Sequence, residues 1–174
     1  MQTVACFGDS LIYGFPFGPR ISWLAEAEKL TGDKFLNYGV CGDCTDDILS
    51  RLKTMTLPAH IKHILFLGGA NDIIQMHPQK FILEDLDKTL RYCQSKNFDL
   101  GIVLPLVTAE SRLNEYILPL RDCNKRMFCR ADIAAGSAAC CWTDCCRTEG
   151  CLSGWRTPDG SRLQGDGNIC CAAA

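Results

Sequence analysis

Residues 61–72 read Ile61-Lys-His-Ile-Leu-Phe-Leu67-Gly68-Gly-Ala-Asn71-Asp72. An apolar run of strand length stops at two glycines and a polar pair, which reads as a buried strand that breaks into a turn. The same grammar occurs twice upstream. Thr3-Val-Ala-Cys-Phe7 ends in Gly8-Asp9-Ser10, and Phe35-Leu-Asn-Tyr38 leads into Gly39-Val-Cys-Gly42-Asp43. Leu100 to Val107 is a fourth apolar run. Between the runs the period changes to a helical one. Trp23, Leu24, Ala27 and Leu30 recur before Gly32, Ile48, Leu49 and Leu52 mark a helix over Thr45–Thr54, and Phe81–Ser95 is amphipathic. Glu110 to Phe128 continues as a longer helical pattern that Pro119 is expected to kink. Strands alternating with helices imply parallel strands, right-handed crossovers and helices on both faces: a three-layer α/β/α, flavodoxin-like body. In such a body, function sits at the carboxyl edge of the sheet.

Three clusters fall at that edge: Gly8-Asp9-Ser10-Leu11, Asn37-Tyr-Gly39-Val-Cys-Gly42-Asp43 and Gly68-Gly69-Ala-Asn71-Asp72. A serine at a strand-to-helix turn exposes its hydroxyl and aims its backbone N–H at a developing oxyanion. Glycine lets a backbone N–H approach a ligand closely, and an asparagine amide is a neutral donor suited to the same anion. Any one such pair is an ordinary loop turn; three on one rim make half of an acyl-transfer site.

The order and spacing of Gly8-Asp9-Ser10-Leu11, Asn37-x4-Gly42-Asp43 and Gly69-Ala-Asn71-Asp72 resemble blocks I, II and III of the SGNH, or GDSL, hydrolases, over roughly residues 2–128. The resemblance implies Ser10 as nucleophile, with the Ser10 N–H, the Gly42 N–H and the Asn71 side chain as oxyanion donors. It implies small acyl esters or thioesters as substrates and no cofactor. Gly8, Asp9, Asp43 and Asp72 are assigned to organising the loops. Substrate choice would lie in the loops around Tyr13–Arg20 and Ile73–Gln79, where Phe15, Phe17 and Ile73 suit an acyl group.

The family's catalytic Asp-x-x-His has no counterpart here, because no histidine follows His77. His60 and His63 precede the third strand, at the opposite edge, and are expected to be solvated. His77 follows the third cluster, near the rim, and is expected to be a bystander and not a substitute base. Asp159-Gly-Ser-Arg162 has the right start but ends in arginine, which cannot accept a proton. The surrounding tail is unusual. Eight of the thirteen cysteines lie after Phe128, a stretch without Val, Phe, Tyr or Met, whose only large aliphatics are Ile133, Leu152, Leu163 and Ile169. Read one base along, codons for Gly154 to Gly167 permit Asp-Gly-Val-His-Pro-Thr-Glu-Ala-Gly-Tyr-Lys-Ala-Met, similar to the family's missing block. The expectation is a frameshift near Phe128–Arg130. An incomplete hydrolase core at 1–128 would then be followed by an atypical Cys/Ala/Gly-rich tail at 129–174, with the last strand and helix lost and activity impaired.

The competing class is a noncatalytic binding module or a thiol-rich metal binder using Cys140, Cys141, Cys145, Cys146, Cys151, Cys170 and Cys171, which lack a regular pair of C-x-x-C units. Cys41-Gly-Asp-Cys44 has that spacing but no second ligand pair, so no metal site is assigned. A nucleotide site is discounted, since neither G-x-x-x-x-G-K-[ST] nor G-x-G-x-x-G is present. A net charge of −2 and a sequence pI of 5.9 give no footprint for nucleic acid or anionic membrane. Without a leader or an apolar membrane span, the expected location is the cytoplasm.

Overall fold

The apolar runs become strands β1 (Thr3–Gly8), β2 (Lys34–Gly39), β3 (His63–Leu67) and β4 (Asp99–Val103) in a computed structural model that describes residues 1–135, with side chains described to residue 125. They form one parallel sheet in the order β2-β1-β3-β4. Alternation along the strands sorts side chains onto two faces. Ala5, Phe7, Ile64, Phe66, Leu100 and Ile102 join one buried cluster, and Val4, Cys6, Leu65 and Leu67 join the other. Phe7 and Phe66 are fully buried, each contributing about 1.5–3 kcal/mol by leaving water.

Helices close both faces, giving the expected three layers. Helix α1 (Ser10–Tyr13) and α2 (Trp23–Thr31) cover the Val4/Cys6 face through Ile12 and Leu24. The other face is covered by α3 (Thr45–Thr54), the short α4 (Ala70–Ile74), α5 (Gln79–Ser95) and α6 (Ser111–Ala135). Ser22 caps α2 and Gly32 ends it in a left-handed conformation. In α3, Ile48, Leu49 and Leu52 face inward as their spacing requires.

Several boundaries differ from the sequence reading. β4 stops at Val103, not Val107, because Pro105 has no N–H to continue a ladder; Leu106 and Val107 are exposed beyond it. Leu30 is 84% exposed, since α2 lies over the edge strand β2 and reaches the core through Leu24. His63 opens β3 instead of preceding it, and its Nδ1 lies 3.2 Å from an Asp99 carboxylate oxygen. α6 runs through Pro119, an exposed position, and past Phe128 to Ala135. The tail cysteines from Cys140 onward, the Asp159–Arg162 segment and the expected loss of a last strand and helix fall outside the described residues.

Candidate active site

The register places the ends of three strands side by side: Gly8 pairs with Gly39, and Phe7 with both Tyr38 and Phe66. Everything that follows those residues in the chain therefore starts on one rim. Ser10 is the first residue of α1, and Asp9 caps it by accepting the Leu11 N–H at 2.8 Å. The cap satisfies Leu11 and leaves the Ser10 N–H as one of the helix's unpaired donors. The Ser10 side is packed by close approach. A Cβ on Gly39 would lie 2.2 Å from the Tyr13 nitrogen, so only glycine lets β2 pass beneath α1. Asn37 fastens the same contact, donating to the Ile12 carbonyl at 2.6 Å while accepting from the Gly39 N–H at 3.0 Å.

The second cluster turns through Gly42, whose φ of +92° is a left-handed conformation that favours glycine. Its N–H has no partner among the described residues. The third cluster is tied to the second by side chains. Asn71 donates one amide hydrogen to the Asp43 carbonyl at 2.8 Å, which leaves its other hydrogen available. Asp72, 3% exposed, accepts from both the Thr45 N–H at 3.0 Å and the Thr45 hydroxyl at 2.7 Å, so the start of α3 is locked to the start of α4.

Arg51 was not legible as a site residue. Its guanidinium donates to the Tyr38 carbonyl at 2.7 Å and the Gly8 carbonyl at 3.2 Å, and it makes an ion pair with Asp43. One side chain thus joins the ends of β1 and β2 to the Gly42 turn. The available signal was an arginine between the inward positions Ile48 and Leu52, with an aspartate just before the helix.

Electrostatics follow from burial. Asp9, 1% exposed, has its carboxyl pushed above the usual aspartate range by desolvation, against the Leu11 hydrogen bond and with added repulsion from Asp72 and Asp43. Desolvation also raises Asp43, with Arg51 opposing it. The Cys44 thiol is pushed up to about 11 by burial and then by Asp72, Asp47, Asp46 and Asp43, so it is no free thiolate nucleophile at neutral pH.

His77 occupies the rim but faces Asp72. Its backbone N–H donates to the backbone carbonyl of Asp72 at 2.8 Å, and its ring Nδ1 lies 3.7 Å from a carboxylate oxygen of Asp72. Among the described residues no histidine hydrogen-bonds to the Ser10 hydroxyl. A cavity of about 490 Å³ opens beside His77, lined in part by Asp46, Asp72, Phe81, Glu84 and Asp85. Cys41 is exposed and Cys44 buried, both as free thiols.

Comparison with known proteins gives the same reading. The profile of the GDSL-like lipase/acylhydrolase family matches residues 6–131. A G-D-S-L family protein from Desulfitobacterium hafniense superposes with a TM-score of 0.70 at 19% identity, covering 76% of this chain and 74% of that one. A member of the lipolytic G-D-S-L family from Veillonella parvula gives 0.63 at 22% identity, over 77% and 74%. The psychrotrophic esterase EstA from a Pseudoalteromonas species gives 0.60 at 16% identity, over 82% and 78%. No curated protein sequence matches significantly.

Proposed function

Because the chain belongs to the GDSL-like lipase/acylhydrolase family, we propose that it is a serine ester hydrolase whose Ser10 attacks the carbonyl of a small acyl ester or thioester. The acyl group passes to the Ser10 oxygen, the alcohol or thiol leaves, and water releases the acid. The observation that carries this reading is the set of unpaired N–H donors on one rim: the Ser10 N–H, the Gly42 N–H and the second Asn71 amide hydrogen. Donors fixed before the reaction stabilise the oxyanion without reorganising, which is the largest single contribution in acyl transfer.

Ser10 lacks a histidine partner among the described residues, and no Asp-x-x-His occurs in the sequence. The proposed chain is therefore an impaired hydrolase. An oxyanion hole acting without its base retains roughly 10³–10⁴-fold acceleration over water in serine hydrolases generally. Residues from about 129 are proposed to be a frame-shifted replacement for the family's last segment, a reading supported by the family match ending at residue 131. The nucleotide sequence across codons 125–174, compared with that of related genes, decides it.

The test of Ser10 is p-nitrophenyl acetate hydrolysis by the full chain, with imidazole added in place of the absent base. The expected result is a rate that imidazole raises in the native chain beyond its effect on Ser10→Ala. Equal rates for the two proteins at every imidazole concentration would remove Ser10 from the mechanism.

A further inference from the structure

The Asp72–His77 pair has a third neighbour that hydrolysis does not use. The Cys44 sulfur, one Asp72 carboxylate oxygen and one His77 ring nitrogen all lie within 4.8 Å of one another. They come from three separate segments: the residue capping α3, the middle of α4 and the loop before α5. Sequence spacing could not reveal the group, because no two of the three share a C-x-x-C or H-x-x-x-H interval.

We propose that Cys44, Asp72 and His77 form a binding site for Zn²⁺. The Asp72 oxygen and His77 Nδ1 are 3.7 Å apart, beyond hydrogen-bond length. Two ligands each about 2.0–2.1 Å from a tetrahedral ion stand about 3.3–3.4 Å apart, so a small turn of the half-exposed imidazole suffices. Cys44 and Asp72 are each 3% exposed, so two ligands are already held in place before the ion arrives. A thiolate, an imidazole and one carboxylate suit zinc and do not suit magnesium or calcium, which take oxygen. On binding, the dication displaces the thiol proton to solvent.

Two features surround the group in the manner a cation site requires. Asp46 and Asp47 occupy the first turn of α3 immediately after Cys44, and their charge draws cations towards it. The cavity of about 490 Å³ reaches Asp72 and His77 from solvent, which gives an entry path; its one lysine, Lys88, is paired with Asp85. The inference does not depend on Ser10 being a nucleophile.

The test follows the three histidine side chains of the full chain by long-range ¹H–¹⁵N NMR during Zn²⁺ titration, alongside affinity measured with a competing chelator. Zinc is expected to move the His77 ring signals at one equivalent and to leave His60 and His63 in place. His77→Ala and Cys44→Ser are each expected to weaken the tightest site by about tenfold or more. The tail cysteines are competing thiols, so the His77 ring signals, and not the total zinc bound, report on this site. If zinc binds while the His77 signals stay still, or if His77→Ala binds as tightly as the native chain, the ion belongs elsewhere and the proposal is wrong. His77 is 44% exposed on its side chain, so His77→Ala decides the matter even if Cys44→Ser fails to fold.

Discussion

On the β1 side of the rim Ser10 is held by a backbone-on-backbone contact that Asn37 fastens, whereas on the β3 side Asn71 is held chiefly by polar bonds between side chains and neighbouring segments. The α1 turn lies directly on Gly39 at a separation that leaves no room for a methyl group, and α1 itself is four residues long. At the start of α4 the close approaches are to side chains that can give: a Cβ on Gly68 would come within 3.0 Å of Ile48 and Thr45, and one on Gly69 within 2.8 Å of Leu120. The α3–α4 junction relies on Thr45, Asp72 and the Asn71–Asp43 hydrogen bond. A nucleophile needs its hydroxyl in one place, and steric exclusion fixes a backbone absolutely. An amide donor needs a direction, which a second hydrogen bond on the same group supplies. The two sides should therefore fail differently.

The largest expected effect is on the squeezed side. Gly39→Ala puts a Cβ into the Tyr13 backbone, which cannot move as a flexible side chain could, and should destabilise the fold by about 3 kcal/mol, the upper end for overpacking. Urea denaturation checks it; a loss under about 1 kcal/mol would mean that α1 can lift away from β2. Next comes Thr45→Val, which keeps the side-chain shape and removes the hydroxyl donor to Asp72. A buried carboxylate losing one charge-assisted bond should give a loss of about 1.5–3 kcal/mol, with the Ser10-dependent rate falling as the start of α4, which carries Asn71, loosens from α3. An unchanged rate in a folded Thr45→Val protein would separate Asp72 from the site.

Asp9 has a folded-state pKa above its ordinary value of 3.8. Its contribution to stability is thus fully present below that value and is lost as pH rises through the higher folded value. Asp9→Asn keeps an oxygen acceptor for the Leu11 N–H and removes the titration. The stability of Asp9→Asn relative to the native chain should therefore climb with pH from about 3.8 upward and then level off, as measured by denaturation at a series of pH values. A flat difference would show that Asp9 is no harder to ionise in the folded chain.

Much of this arrangement is legible in the amino-acid sequence. The bounds of α3 are legible because Thr45 and the Ile48/Leu49/Leu52 spacing state a helix without competition from tertiary packing. Ser10, Gly42 and Asn71 were readable as one rim because parallel strands send all their carboxyl ends the same way. Arg51 was not, since its role depends on two main-chain carbonyls, and carbonyls leave no mark in a sequence. The end of β4 was missed because Leu106 and Val107 look like strand while Pro105 forbids the ladder. Cys44, Asp72 and His77 were invisible as a group for a third reason: their nearness comes from how α3, α4 and α5 meet.

The strand order has a consequence for synthesis. β1 precedes β3 in the chain yet lies at the centre of the sheet, with Val4 to Phe7 paired against His63 to Phe66. At ribosomal speeds of about 5–20 residues per second, that inner edge waits several seconds for its partner. During the wait the nascent segment carrying Cys6 and Phe7 has one unzipped side, which gives chaperones and stray polypeptides the same opening.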